Sequence, residues 1–267
     1  MQGKVWPDFL HSAGAGHIPG WFPVHKFGRN TNIGLGSMED IWAPGGFIPW
    51  PTTGDFARVV SDNAGDTAAG AGAREITVQG LAAGTWALAE DTIATDGIST
   101  ATGTVSFIRV FRAFVSKVGT YATTGVGSNL GVITIDRPSD SAVWALINTE
   151  THGGTDVYGM GQTQQCAYTV PAGHHATLMS MGIGLDSSKT ATIFLWQRSN
   201  SDTITGDMGA RRLVTVWDSA ASPFQFNYPR QSFLPMTDIW ASAIAGANGT
   251  PIEVMFDLMV HPADGVG

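Results

Sequence analysis

From about residue 56 onward the chain runs in short stretches of β-branched and aromatic residues bounded by clusters of Gly, Asn, Asp and Ser. This pattern predicts strands near 57–61, 74–80, 85–94, 104–116, 130–136, 142–149, 163–170, 175–184, 190–198, 212–217, 224–228, 236–244 and 251–260. In RLVTVWD, Leu213, Thr215 and Trp217 share one face and Val214 and Val216 the other. In TIFLWQR, Ile193, Leu195 and Gln197 oppose Phe194, Trp196 and Arg198. Apolar residues on both faces imply strands held between two layers. Turn signals at Asp96-Gly97, Ala172-Gly173, Asp186-Ser187-Ser188 and Ala247-Asn248-Gly249 each separate two strand-like runs. The best helical candidate, MTDIWASAIA at 236–245, extends for no more than about two turns at the helical period. The expected fold is an all-β, jelly-roll-type antiparallel β-sandwich over 56–267, with a second division of the chain conceivable near 136–140.

Residues 1–55 read differently. They hold four of the nine tryptophans (Trp6, Trp21, Trp42, Trp50) and prolines at 7, 19, 23, 44, 49 and 51, with no strand or helix period. Proline removes a backbone donor and fixes φ, so this stretch is expected to be an extended arm and not part of a sheet interior. Its rings must be buried against either the chain's own sandwich or a neighbouring subunit. In the second case Trp21, Phe22, Phe27, Arg29, Trp42, Phe47 and Trp50 are the expected partner-binding residues, since aromatic anchors with an arginine dominate interface energetics.

Composition narrows the function. Only 13% of the 267 residues are charged, and the formal net charge is −8, which argues against a nucleic-acid surface. No apolar run is long enough to cross a membrane as a helix. The first residues lack the apolar core of a signal peptide, so a protein that stays in the cytosol or leaves by lysis is the expectation. A single cysteine, Cys166, excludes an intrachain disulfide and a multi-thiolate metal site, and it falls in a strand-like run where a core thiol is expected.

The chemical motifs are sparse. Gly-x-Ser-x-Gly, His-Glu-x-x-His, the EF-hand spacing and the P-loop are all absent, so neither a catalytic site nor a cofactor is expected. His174 and His175 are adjacent on a strand and point to opposite faces, which disfavours a shared ion. Asp62, Asn63 and Asp66, and Asp136 with Asp140, offer oxygen ligands for Ca²⁺, but turn-forming side chains account for both groups equally well. Trp86, Trp144, Trp196, Trp217 and Trp240 lie in strand-like runs and are expected in the core, with sugar stacking as the alternative.

Several segments taken in order carry a resemblance. They are VHKFGRNTNI (24–33), EDIWAPGGFIPWP (39–51), SDNAGDTAAGAGAREITVQGL (61–81), FIRVFRAFV (107–115), NLGVITI (129–135), YTVPAGHHATL (168–178), FLPMTDIW (233–240) and PIEVMFDLMV (251–260). Together they resemble structural proteins of tailed bacteriophages, of the podovirus and marine-phage type. The resemblance implies a non-enzymatic virion component, most specifically a capsid decoration or cement protein. It would act as a homotrimer contacting the major capsid protein at the virion surface, through contacts depleted in charge. The alternative is a tail or head fibre that binds host glycans through loops 99–103, 151–161 or 199–209.

Overall fold

The structure, a computed structural model, describes residues 9–121, 127–152, 156–185, 188–200, 209–220, 224–227 and 231–263. After one short helix, α1 (Phe9–Gly14), the described chain is built from β-strands. The first half holds β1 (Phe22–Ile33), β2 (Met38–Asp40), β3 (Asp55–Ser61), β4 (Ala73–Ala82), β5 (Leu88–Ala94), β6 (Ala101–Val118), β7 (Ile133–Asp136) and β8 (Val143–Ile147). The second holds β9 (Thr149–His152), β10 (Asp156–Gly159), β11 (Ala167–Thr169), β12 (His174–Leu185), β13 (Thr190–Ser199) and β14 (Arg212–Ala220). The last four strands are β15 (Phe224–Asn227), β16 (Ser232–Phe233), β17 (Thr237–Ala245) and β18 (Thr250–Pro262).

These strands form three antiparallel sheets and one hairpin, β9–β10. Sheet I has the order β1-β18-β12-β15, with β16 also on β12. Sheet II runs β11-β17-β13-β14, with β2 on β17. Sheet III runs β5-β4-β6-β3-β7-β8. Sheets I and II enclose one core, where Leu178, Ile183, Val254 and Phe256 of the first meet Ile193, Leu195, Ile239 and Ala241 of the second. Sheet III has a core of its own around Val59, Ile76, Val78, Phe107, Ile133, Ile135 and Trp144. The expected all-β sandwich is the observed fold class.

Strand β6 is the seam. Phe107, Val110 and Ala113 go to the sheet III core, while Ile108 and Phe111 go to the core between sheets I and II. Five consecutive residues, Phe107 to Phe111, are therefore buried on both faces. At this seam β4 approaches closely, because a Cβ on Gly80 would sit 2.0 Å from the Arg109 carbonyl oxygen. Only glycine fits there.

Two expectations need correction. The segment 22–33, expected to lie in an arm without strands, is β1, and it pairs with the closing strand β18 from Phe22↔Val260 onward. Pro23 is accommodated because β18 is the only ladder partner of β1 among the described residues, so one side of the strand asks for no donor from it. The strand expected at 236–244, also the best helical candidate, is β17, with neighbours on both sides and nearly every residue buried. The Asp136–Asp140 turn is the β7–β8 hairpin inside sheet III, and sheet III itself ends at Ile147.

Candidate functional site

Strand β1 alternates along its length. Phe22, Val24, Lys26, Gly28 and Asn30 turn inward, and Pro23, His25, Phe27 and Arg29 turn outward. The antiparallel register then aligns outward residues across sheet I. Phe27 is level with Met255 on β18, and Met255 with Gly182 on β12. Met255 is 43% exposed and lies over Gly182, where a Cβ would stand 3.0 Å from its Cγ.

On one side of this apolar row, Arg29 is level with Glu253; its Nε lies 3.1 Å from Glu253 Oε1, and its Nη1 donates to Glu150 of β9. On the other side, His25 Nδ1 is 2.6 Å from Asp257 Oδ1, and the Ser180 hydroxyl donates to Asp257 Oδ2. The outer face of sheet I is thus an apolar row between two charged rows.

Phe27 and Arg29 are the two expected partner-binding residues that meet on this face. Trp21 stacks on His261 with ring centroids 4.5 Å apart, and Phe22 sets its edge toward His174 at 5.9 Å. Phe47 stands in the loop after β2 and is 62% exposed. Trp42 and Trp50 instead pad the chain's own sandwich. Trp42 is buried with Ile48, Ala167 and Trp240, its indole N–H donating to the Gly46 carbonyl at 3.2 Å, and Trp50 packs 5.4 Å from Trp240. Of the tryptophans expected in strands, Trp144 and Trp240 are buried, Trp196 and Trp217 pack partly buried against the cores, and Trp86 does so from the β4–β5 connection.

A second constellation was not singled out from the sequence. Asp238 of β17 is fully buried, and Arg109 of β6 grips it with two bonds, Nε to Oδ1 at 2.9 Å and Nη2 to Oδ2 at 3.1 Å. Arg198 of β13 adds Nη2 to Oδ2 at 2.6 Å, Thr169 donates to Oδ1 at 2.7 Å and Asn200 to Oδ2 at 2.9 Å. Burial pushes the Asp238 carboxyl up, but the guanidinium of Arg109 and then that of Arg198 hold it below the ordinary carboxylate value. Both guanidinium groups also lie over the Trp50 ring, at 5.3 and 5.0 Å, and Arg109 lies over Trp86 at 4.9 Å. Every carboxylate lone pair is occupied, so this cluster locks sheet III to sheet II and has no capacity left for proton transfer. Its signal in the sequence was a charge inside each of two apolar runs, FIRVFRAFV and TDIWASAIA.

The candidate cation ligands are engaged in the fold. Asp66 accepts from the Ser61 hydroxyl at 2.7 Å and from the backbone N–H groups of Ala73, Leu130 and Gly131. Asp62 accepts from Val132 N–H, Asp136 pairs with Arg58, and Asp140 pairs with Arg137. Among the described residues no group of three or more His, Cys, Asp or Glu side chains converges as a metal site. Of the loops considered for glycan binding, parts of 151–161 and 199–209 lie outside the described residues.

No family model matches the chain, and no curated protein matches it. Among solved structures it aligns weakly with infectious bursal disease virus. With the Gt strain structure it shares 9% identity at a TM-score of 0.25, covering 97% of this chain and 77% of that one. With the VP2 subviral particle the values are 8% and 0.21, covering 97% and 79%. Overlap at that level does not establish a shared topology.

Proposed function

We propose that this chain is a non-enzymatic structural subunit of a bacteriophage virion, in its most specific form a capsid decoration or cement protein. It acts at the capsid surface, bound to the major capsid protein and to copies of itself. The observation that carries the reading is the outer face of sheet I. There the Phe27–Met255 row is half-exposed between the Arg29–Glu253 and His25–Asp257 rows. Phe47 adds a second apolar contact point on the loop after β2. Contacts of this type bury about 800 Å² per partner, and several per subunit make release slow although each is modest. The low charge content and the resemblance of the ordered segments to phage structural proteins support the same reading.

The test is the copy number of this chain relative to the major capsid protein in purified virions, followed by shell binding of a Phe27→Asp variant. Hundreds of copies, with binding lost in the variant, is the expected result. A handful of copies per particle overturns the decoration reading in favour of a fibre.

A further inference from the structure

The inward side of β1 borders a cleft of about 500 Å³ against β4, β5 and β6. That size is typical of small-molecule sites. Its apolar wall is Phe22, Val24 and Phe111, and its polar groups include Lys26, Tyr168 and Arg112. Two of these are buried without adequate partners. Lys26 is 6% exposed, and its ammonium donates to a single backbone carbonyl, that of Phe111. Among the described residues no carboxylate pairs with it. Tyr168 is 1% exposed, and its hydroxyl has no hydrogen-bond partner.

Buried polar groups are normally satisfied, and a buried charge is normally paired, because each otherwise forfeits its hydration without return. Burial pushes Lys26 down from 10.5 to about 7, with the nearby Arg112 charge adding to the fall and Cys166 opposing it. Glu90 on the rim accepts from Gln79 Nε2 at 2.8 Å, and among the described residues it makes no ion pair with Lys26.

We infer that the cleft binds an organic carboxylate with an apolar body. The carboxylate takes the Lys26 ammonium and the Tyr168 hydroxyl, Arg112 adds positive charge, and the apolar body lies against Phe22, Val24 and Phe111. This site does not rest on the virion reading, although Pro23 and His25 of the outward set also line the cleft, His25 and Glu90 being the other titratable groups at its edge. The carboxylate requires the protonated amine, so its affinity falls as pH rises above the Lys26 titration.

Octanoate and 1-octanol are a matched pair of probes, and calorimetry on the full-length protein at pH 6 and pH 8.5 reads both charge selectivity and pH dependence. The expected result is one octanoate per chain, at least about tenfold preference over octanol at pH 6, and an octanoate affinity that drops about tenfold or more by pH 8.5. Lys26→Met abolishes the preference while leaving octanol binding, and Tyr168→Phe, which removes only the hydroxyl, weakens octanoate severalfold. Equal affinity for the two probes, no octanoate binding, a pH-independent affinity, or an unchanged octanoate affinity in Tyr168→Phe each overturns the proposal.

Discussion

Lys26 and Asp40 are buried ionisable groups whose titrations oppose each other around neutrality. Burial lowers Lys26 to about 7, so the folded state favours the neutral amine; that stabilisation is present above pH 10 and is lost as pH falls through 7. Asp40 is pushed up by burial to about 6, against hydrogen bonds from the Ser242 hydroxyl at 2.6 Å and the Ile48 N–H at 2.7 Å. Its folded state favours the protonated acid, a stabilisation present below pH 4 and lost as pH rises through 6. Between the two values both groups are charged at full desolvation penalty. Urea midpoints measured from pH 5 to pH 10 are therefore expected to pass through a shallow minimum between pH 6 and 7. Lys26→Met removes the alkaline rise and Asp40→Asn the acid one, and a midpoint that falls steadily from pH 7 to 9 contradicts the assignment. Further down in pH, the stabilisation from Asp238 is lost, since its carboxyl is held below the ordinary value and must ionise to pair with Arg109.

At the level of elements, β1 depends on one close approach. A Cβ on Gly28 would lie 2.2 Å from the Ile41 carbonyl oxygen and 2.3 Å from the Cys166 nitrogen, both backbone atoms that cannot swing away. Gly28→Ala is expected to destabilise the protein by about 1–3 kcal/mol or more in urea unfolding, because β1 must move off β2 and β11. Gly14→Ala, where an added Cβ meets nothing within 4 Å, serves as the near-neutral control. The same residues explain why β1 was hard to read. Its inward positions include Lys26, Gly28 and Asn30, which meet backbone and polar partners in place of apolar side chains, so no hydrophobic alternation marks the strand. Strands β13 and β18 were legible because their inward residues are apolar and their turns carry Gly, Asn or Asp; β14 was placed, but as an edge strand it leaves Leu213 and Val216 exposed and is not covered on both faces. Strand β17 was partly ambiguous, since buried contacts on both faces erase the period of two. On the candidate site, Phe27 and Arg29 were readable as an aromatic–arginine pair. Their neighbours Met255, Glu253 and Asp257 were not, because cross-strand register with a segment more than 200 residues away leaves no local trace.

Across the whole molecule, Asp238 is the point where β6, β13 and β17 are tied together, and Arg109 reaches it across 129 residues of sequence. Asp238→Asn strands two buried guanidinium groups and is expected to lower the unfolding free energy by about 3–5 kcal/mol, with the transition remaining single when followed by tryptophan fluorescence and circular dichroism together. Two separated transitions instead would mean that sheet III unfolds by itself. The double-faced burial of β6 makes that outcome unexpected. Since one strand supplies side chains to both cores, the two cores share β6 and are expected to unfold together. A fragment covering sheet III alone would carry Ile108 and Phe111 uncovered into solvent and aggregate. A protease cut in a surface loop would, by the same reasoning, leave two pieces that travel as one particle until denaturant separates them.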